Sequence, residues 1–204
     1  MSFYQSHVLP RLLHLAMRQE ALLAFRRRVI GAAEGRVLEV GIGSGLNLPL
    51  YGAATSSVIG LEPSAELLRM ARERAAAAAV PVELLEASAE AMPLDDASID
   101  TVVTTWTLCS IPDAPRALRE MQRVLKPGGA LLFVEHGRAP EPAVARWQDR
   151  LDPIWQRLAG GCHLNRRIDD LISQSGFRLD RLTHASLPGP RTHTFLYEGS
   201  ARPE

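Results

Sequence analysis

The sequence predicts an α/β fold with a mostly parallel sheet and helices on both of its faces. Strand-like and helix-like segments alternate between residues 36 and 135, which is the pattern of parallel strands joined by helical crossovers. A glycine-rich turn follows the first strand-like segment directly. Two strand-like segments near the C-terminus flank a Pro-Gly-Pro turn, which predicts a hairpin at an antiparallel edge of the sheet.

The composition predicts an ordinary globular protein with a single domain over residues 1–204. Hydrophobic residues make up 46% of the 204 residues, enough for a full core. Basic and acidic residues number 23 each, and this zero net charge argues against a broad nucleic-acid-binding face. No apolar run approaches the roughly 18 residues of a membrane span, and residues 1–10 lack the pattern of a signal peptide. We therefore expect a cytoplasmic protein without an integral membrane segment, for which peripheral membrane contact stays open.

The two cysteines, Cys109 and Cys162, are far apart in the sequence and lack a spacing typical of metal ligands. They are predicted to be reduced and buried. Neither has a neighbouring cation or helix N-terminus sufficient to lower its pKa, so both are expected to be ordinary buried thiols. The sequence therefore predicts no metal site.

Residues 1–35 are predicted to form a helical leader. Apolar residues recur at roughly helical spacing between His7 and Ile30, and the regular helix is expected to begin near Pro10 because proline suits a first turn. The basic run at residues 26–28 is interpreted first as a solvated helix end. Its alternative interpretation is a contact with an anionic substrate or a lipid headgroup.

Residues 36–135 contain the predicted alternation of strands and helices. Five strands are expected, at residues 36–40, 57–61, 82–86, 100–105 and 130–135. A helix rich in strong helix formers is expected at 64–79. A second helix is expected after Asp113, whose side chain can cap it, and the Lys-Pro-Gly-Gly turn at 126–129 ends it.

Residues 136–204 are expected to supply substrate-side helices and the last two strands. The region 140–176 is predicted to be largely helical. It contains Trp147 and Trp155, whose spacing of eight residues places them on one helix face, interpreted as core in preference to a lid. The last strands are expected at 177–184 and 192–197.

Three glycines at alternate positions, Gly41, Gly43 and Gly45, follow the first predicted strand. Only glycine lets the backbone of such a turn approach a ligand without an intervening side chain. The dinucleotide fingerprint needs its third glycine one position later, where this chain has Leu46, so the spacing disfavours an NAD-dependent oxidoreductase. Glu62 ends the second strand, 21 residues beyond Gly41, where a carboxylate can accept hydrogen bonds from both ribose hydroxyls.

Four segments, at residues 37–45, 62–64, 87–94 and 123–129, resemble motifs of the class I S-adenosylmethionine-dependent methyltransferases. The resemblance implies a Rossmann-like fold whose seven-stranded, mostly parallel sheet has an antiparallel edge strand, with S-adenosyl-L-methionine as the cofactor. The residues that it implies at the cofactor are Glu39, Gly41, Gly43, Gly45, Asn47, Glu62, Pro63, Ser88, Ala89, Glu90 and Thr105. Ser88 stands where the family usually has an acid, so it can bond the adenine amine only without charge assistance, for which Glu90 is a possible compensation.

Further segments are similar to the alkyl-thiol S-methyltransferases of this family, namely residues 107–110, 135–136, 147–148, 151–153, 161–165 and 191–193. They lie mostly in the substrate half, so the resemblance implies a small-molecule acceptor, with a thiol favoured. Eukaryotic members carry an N-terminal membrane anchor, which is not expected here. Bacterial lipid N-methyltransferases share the first motif. A lipid amine headgroup, a quinone-type acceptor and a non-catalytic cofactor-binding domain are therefore the alternatives.

A thiol acceptor needs little activation, because its pKa of about 8.5 already gives a useful thiolate fraction at neutral pH. His136 follows the fifth predicted strand at the carboxyl edge of the sheet, where it can deprotonate or hydrogen-bond the acceptor. A purely structural role for this histidine is an equal alternative. Asp152 and His193 complete the predicted catalytic set, in which Asp152 can pair with His163 or His193 or bond the backbone. The residues predicted at the substrate are Trp106, Cys109, Trp155 and His163.

Overall fold

A computed structural model describes residue 4 and residues 8–204 of the chain. Residues 1–3 and 5–7, which include His7 and much of the segment searched for a signal peptide, lie outside the described residues. The helices are α1 (Leu9–Met17), α2 (Glu20–Gly31), α3 (Ala65–Ala76), α4 (Ala114–Val124), α5 (Pro142–Leu158) and α6 (Ile168–Gln174). The strands are β1 (Gly35–Val40), β2 (Thr55–Leu61), β3 (Val82–Leu85), β4 (Ile99–Thr105), β5 (Leu125–His136), β6 (Phe177–Ser186) and β7 (Phe195–Pro203).

The strands form one sheet in the order β3-β2-β1-β4-β5-β7-β6. Strands β1 to β5 are parallel, whereas β7 pairs antiparallel with both β5 and β6. The predicted seven-stranded, mostly parallel sheet with an antiparallel edge is confirmed. The hairpin of β6 and β7 forms that edge, and β7 is the inner of its two strands. The strand order reverses between β1 and β4, which is where open α/β sheets bind ligands at the carboxyl ends of their strands.

Both faces of the sheet are covered, which explains the near-continuous apolar runs of the central strands. On one face, Leu38 and Val102 pack with residues of α4 and α6 such as Leu118. On the other face, Val37 packs with residues of α2 and α3, among them Ile30, Val29 and Leu68. The alternating direction of successive side chains along each strand divides the core in this way.

The N-terminal leader forms two helices, where the sequence predicted one. Gln19 has extended backbone angles (φ −61°, ψ 136°), which separates α1 from α2. The two helices pack on different surfaces: α2 buries Val29 and Ile30 against the sheet, whereas α1 buries only Leu9 and Pro10. A break between them lets each helix follow its own surface.

Other element boundaries also differ from the predicted ones. Helix α3 ends at Ala76, and β5 begins at Leu125 because this residue pairs with Ile99 of β4 before the Pro-Gly-Gly segment. Strand β7 continues to Pro203, beyond the predicted end at 197. Its extension contains Gly199 and Ala201, which are weak strand formers, and pairing with two neighbouring strands holds it in place.

The prediction that Trp147 belongs to the core is wrong. Its side chain is 55% exposed on α5, and the Arg150 guanidinium lies 5.3 Å from its ring centroid. Trp155, eight residues later, is half-buried. Eight residues amount to about 80° of rotation beyond two full turns, so the two rings do not share one buried stripe. Among the described helices, we find none with the length and apolar character that crossing a membrane requires.

A buried polar network joins α2 to β1 and the turn that follows it. Asn47 donates to the Glu39 carboxylate at 2.7 Å and accepts a hydrogen bond from Arg26 at 2.7 Å. The Tyr51 hydroxyl donates to the second carboxylate oxygen of Glu39 at 2.8 Å. Burial raises the pKa of Glu39 to about 7, against the opposing effect of the Tyr51 and Asn47 hydrogen bonds and of Arg26. These partners satisfy a carboxyl group that is otherwise costly to bury.

We expect the substitution Glu39→Gln to flatten the pH dependence of stability. The folded-state pKa of Glu39 lies near 7, above its ordinary value of 4.5, so the native state binds more protons than the unfolded state between these values. The free energy of unfolding therefore falls as pH rises through this window, by up to about 1.4 kcal/mol per pH unit for one such group. Urea unfolding between pH 5 and pH 7 measures the slope.

Burial also raises the pKa of Glu135 to about 7, so this group contributes its own pH dependence in the same window. The Glu39→Gln variant is therefore expected to lose the contribution of one titrating group and to keep that of Glu135. The exposed Glu73 provides a matched control, since Glu73→Gln is expected to keep the slope of the parent. A slope unchanged by Glu39→Gln would contradict the prediction.

Candidate active site

The carboxyl ends of β1, β2, β4 and β5 meet at one cavity of about 550 Å³, which we call the edge cavity. Residues at or just beyond these ends line it, namely Gly41, Glu62, Trp106 and His136. With about 4.8 Å between neighbouring strands, the ends of β2 and β5 are separated by roughly 14 Å. We call the part near Glu62 the β2 end and the part near His136 the β5 end. The volume lies in the range of small-molecule and cofactor sites.

The glycine turn after β1 approaches the cavity through two of its three glycines. Gly41 and Gly43 have positive φ angles of 70° and 56°, and both line the cavity. A Cβ on Gly41 would collide with the Thr107 side chain, whereas a Cβ on Gly43 would have only the Gly41 carbonyl oxygen within 4.0 Å. Gly45 does not line the cavity, and a Cβ on it would meet Leu48 at 3.0 Å and Ala71 of α3 at 3.3 Å. The open space beside Gly43 is therefore where a ligand can meet bare backbone.

Glu62 is held at the β2 end by backbone donors. Gly43 N–H donates to its Oε2 at 3.1 Å and Ser64 N–H donates to its Oε1 at 3.0 Å. Burial raises the pKa of this carboxyl, and the same two backbone hydrogen bonds oppose the increase. A carboxylate has about four lone-pair positions, so each oxygen can still accept one hydrogen bond from a ligand.

Pro63, Ser88 and Ala89 also line the cavity, but Glu90 does not. The Ser88 hydroxyl is 3.3 Å from Glu90 Oε2 and accepts a hydrogen bond from the Glu90 backbone at 3.1 Å. The other carboxylate oxygen of Glu90 accepts from the Asp113 backbone at 2.7 Å. Glu90 therefore fixes the loop and the N-terminus of α4, and its predicted contact with the adenine amine stays a prediction.

Glu39 and Asn47 do not line the cavity. Their side chains form hydrogen bonds within the polar network with Tyr51 and Arg26. Thr105 belongs to the same network, since its hydroxyl accepts from Asn47 at 3.0 Å, and it does line the cavity. The predicted contacts of Glu39 and Asn47 with a cofactor stay predictions.

Helix α1 covers part of the edge cavity, which the sequence did not predict. Leu13, His14 and Met17 line the cavity, and His14 Nδ1 lies 2.6 Å from the Ser44 hydroxyl in the glycine turn. Burial, followed by the nearby Arg74 and Arg18, lowers the pKa of His14. The neutral imidazole is therefore favoured at this position.

The interpretation of residues 26–28 as a solvated helix end is wrong for Arg26. Arg26 is 6% exposed, lines the cavity, and places its guanidinium 4.9 Å from the centroid of the Trp106 ring. Arg28 forms a two-pronged ion pair with Glu198 at 2.7 and 2.9 Å. Arg27 and Arg28 are both exposed, as the sequence predicted.

Trp106, just beyond β4, has a positive φ angle of 54°, which is unusual for a bulky residue. Its backbone N–H donates to the Val134 carbonyl at 2.9 Å, and the residue lines the cavity. Strained backbone of this kind persists where the surrounding structure holds it, often at ligand sites. Trp106 therefore forms part of the cavity wall, and its predicted contact with the acceptor stays a prediction.

Three side chains converge at the β5 end and form what we call the thiol–imidazole cluster: Cys109, His136 and Cys162. The two sulfur atoms are 3.6 Å apart, and Cys162 Sγ lies 4.0 Å from His136 Nδ1. All three residues line the cavity. Cys109 comes from the loop after β4 and Cys162 from the loop after α5, so their separation in sequence concealed this grouping.

The two thiols of the cluster have different surroundings, whereas the sequence predicted two ordinary buried thiols. The Cys109 thiol and His136 hold the pKa of Cys162 well below its ordinary value. Cys109 carries the opposite shift, since the neighbouring Cys162 and burial raise its pKa. The pair therefore keeps a proton on Cys109 while Cys162 is favoured as the thiolate. The sequence spacing of the two cysteines is not typical of metal ligands, yet the fold brings the candidate ligand atoms of Cys109, His136 and Cys162 within 4.8 Å of one another.

Asp152 and His163 form a pair outside the cavity lining. Asp152 Oδ2 lies 3.2 Å from His163 Nδ1 and accepts from Gln156 at 2.5 Å, while its Oδ1 accepts from the Leu164 backbone at 2.6 Å. Of the two histidines considered for Asp152, the structure selects His163, together with a backbone bond. Both residues brace the loop that carries Cys162, and their predicted roles at the reacting atoms stay predictions.

His193 and Trp155 close another side of the β5 end. Their rings meet edge to face with centroids 4.4 Å apart, and both residues line the cavity. Burial, followed by the proximity of His136, lowers the pKa of His193. The neutral form of His193 is therefore favoured beside the thiol–imidazole cluster.

The known proteins to which this chain is similar are methyltransferases. A family model described as a methyltransferase domain matches residues 38–133. A thiol S-methyltransferase of Rattus norvegicus is 45% identical over 85 residues, which are 41% of this chain and 35% of the relative. A phosphatidylethanolamine N-methyltransferase of Cereibacter sphaeroides is 38% identical over 138 residues, which are 62% of this chain and 68% of the relative. The chain thus spans about a third of the thiol relative and two thirds of the lipid relative.

Solved structures share the fold. A methyltransferase from Methanosarcina mazei superimposes with a TM-score of 0.67 at 24% identity, over 82% of this chain and 92% of that one. The family model and the match to the lipid relative confirm the predicted resemblance to methyltransferases. The chain therefore belongs to the class I S-adenosylmethionine-dependent methyltransferases.

Proposed function

We propose that this chain transfers a methyl group from S-adenosyl-L-methionine to a small thiol. The cavity residues fit the cofactor: Glu62 keeps a lone pair free on each oxygen for a ribose diol, and Gly43 leaves open space where a side chain would project. S-adenosylmethionine supplies a methyl group that its sulfonium already activates. The protein then has to orient the acceptor and exclude water.

One observation carries the choice of a thiol. Glu62 is the single carboxylate among the described residues that line the edge cavity, and it lies at the β2 end. The β5 end presents imidazoles, thiols and indole rings. An alcohol would need a strong general base there, and an alkylammonium group would favour a carboxylate partner. A thiol needs neither, because a weak base or a metal suffices to produce its thiolate.

His136 is the cavity residue best placed to act on the acceptor. It is 6% exposed, and its Nε2 has no hydrogen-bond partner in the described part of the chain. Trp106 and Trp155 contribute apolar ring surface to the cavity lining. The similarity to a thiol S-methyltransferase supports this assignment, whereas the similarity to a phosphatidylethanolamine N-methyltransferase keeps a lipid amine as the second candidate. Arg26 lines the cavity and favours that second candidate, because a guanidinium group suits the phosphate of a lipid headgroup.

The substitution Gly43→Ala is expected to weaken cofactor binding at least tenfold while the protein stays folded. The added methyl group projects into the space beside the turn, and the positive φ angle costs about 1 to 2 kcal/mol of stability. Calorimetric titration with S-adenosylhomocysteine measures the affinity, and thermal unfolding measures the stability.

Two other glycines calibrate this experiment. Gly52→Ala, whose Cβ meets nothing within 4 Å, should retain both affinity and stability. Gly41→Ala should lower the unfolding temperature further, because its Cβ collides with Thr107. Full affinity in a folded Gly43→Ala variant would show that the ligand does not occupy this space.

Acceptor specificity is tested with methyl-labelled S-adenosylmethionine and three acceptors: a small alkyl thiol, phosphatidylethanolamine in detergent micelles, and a hydroquinone. We expect a labelled thioether at rates at least tenfold above those with the other two. Product only from the lipid or the hydroquinone would reject the thiol assignment. Tight binding of S-adenosylhomocysteine with no product from any acceptor would instead indicate a non-catalytic binding domain.

A further inference from the structure

The thiol–imidazole cluster has the composition of a metal site. Cys109, His136 and Cys162 come from three separate elements, yet their candidate ligand atoms all lie within 4.8 Å of one another. A direct backbone contact fixes this convergence, since His163 N–H donates to the Cys109 carbonyl at 2.8 Å. Gly161 permits the close approach of the second loop, because its φ angle is 87° and a Cβ there would come within 3.2 Å of the Ser110 carbonyl.

The distances suit a tetrahedral zinc ion. Zn–S bonds of about 2.3 Å and Zn–N bonds of about 2.0 Å at tetrahedral angles require roughly 3.8 Å between two sulfur ligands and roughly 3.5 Å between sulfur and nitrogen. The corresponding distances here are 3.6 Å for the two sulfur atoms and 4.0 Å from Cys162 Sγ to His136 Nδ1, and the ligand atoms of Cys109 and His136 lie within 4.8 Å of each other. Closing the site therefore needs side-chain adjustments of up to about 1 Å.

The ligands are also available to a metal. Cys109 is 2% exposed and His136 is 6% exposed, so a bound ion would be shielded from solvent. In the described part of the chain, His136 Nδ1 contacts only Cys162 and Nε2 has no hydrogen-bond partner, which leaves the imidazole uncommitted. Soft thiolate ligands together with an imidazole favour zinc over magnesium or calcium.

The site would have three protein ligands and one open position. All three ligand residues line the edge cavity, so the fourth position faces the space where an acceptor is expected. Structural zinc sites have four protein ligands, whereas catalytic sites have three and keep a position for water or substrate. Both cysteines are free, and a disulfide between them would require an oxidant that nothing in the structure supplies.

We propose that Cys109, His136 and Cys162 bind one zinc ion, which coordinates the acceptor thiol as its fourth ligand. This proposal rests on the proposed thiol S-methylation. On coordination, the acceptor thiol releases its proton to solvent and binds as a thiolate. A sulfur lone pair then forms the new bond to the methyl carbon while the bond from that carbon to the sulfonium breaks, giving a thioether and neutral S-adenosylhomocysteine. Zinc binding displaces the remaining proton of Cys109 to solvent, and the two protein thiolates then neutralise the divalent ion, so the acceptor thiolate keeps the negative charge that attracts the sulfonium.

The metal site is tested on the full chain under a thiol-free reductant, without cofactor or acceptor. Zinc competition against a chromophoric chelator is expected to show one ion per chain. Cobalt substitution is expected to give a thiolate-to-metal charge-transfer band, and addition of a small alkyl thiol should change the ligand-field bands. Cys162→Ser should weaken zinc binding by on the order of 100-fold or more, since even the loss of a residue that supports a ligand typically costs 10- to 100-fold.

His184→Ala provides the matched control, because this exposed histidine lies on β6 and should leave zinc affinity unchanged. If a cysteine variant fails to fold, the cobalt spectrum of the parent protein still reports whether thiolates bind the metal. Absence of metal binding by the reduced parent, or a cobalt spectrum without thiolate ligation, overturns the proposal.

The outcome is separable from that of the proposed function. Zinc bound by the cluster together with the absence of any thioether product would retain the metal site and reject thiol methylation. Thioether formation that persists at full rate in metal-free protein would retain thiol methylation and overturn the role of zinc.

Discussion

The parallel register of β1, β2, β4 and β5 is the constraint on which the whole site depends. Parallel strands end at the same edge, so each strand delivers its last residue to one cavity while helices cover both faces of the sheet. Glu62 and His136 are distant in sequence, yet the strand order places them about three strand spacings apart. A shift of one residue in this register would turn these side chains away from the cavity.

Much of the cofactor side could be predicted because its signals are local. The alternate glycines need only the strand before them, and Glu62 needs only the end of the next strand. The same local reasoning could not distinguish a residue that faces a ligand from one that supports it. Glu39, Asn47 and Glu90 carry the expected chemistry, but their polar atoms hold neighbouring residues in place. A sequence motif indicates which residue types are present, whereas the folded structure determines which group each side chain contacts.

The acceptor side was harder to predict because long-range contacts build it. Cys109 and Cys162 are 53 positions apart, and no spacing rule joins them. Helix α1 was predicted as a helix, but its position over the cavity depends on the break at Gln19, which has no strong sequence signal. Arg26 was taken for a solvated residue because a basic run usually is solvated. Its burial against Trp106 becomes evident only once α2 is packed on the sheet.

The most direct test of this account is a crystal structure of the complex with S-adenosylhomocysteine. We expect both ribose hydroxyls within hydrogen-bonding distance of the Glu62 carboxylate, the backbone beside Gly43 in contact with the ligand, and the sulfur directed towards the β5 end. A nucleoside bound outside the edge cavity, or one whose ribose does not touch Glu62, would contradict the shared strand edge as the origin of the site.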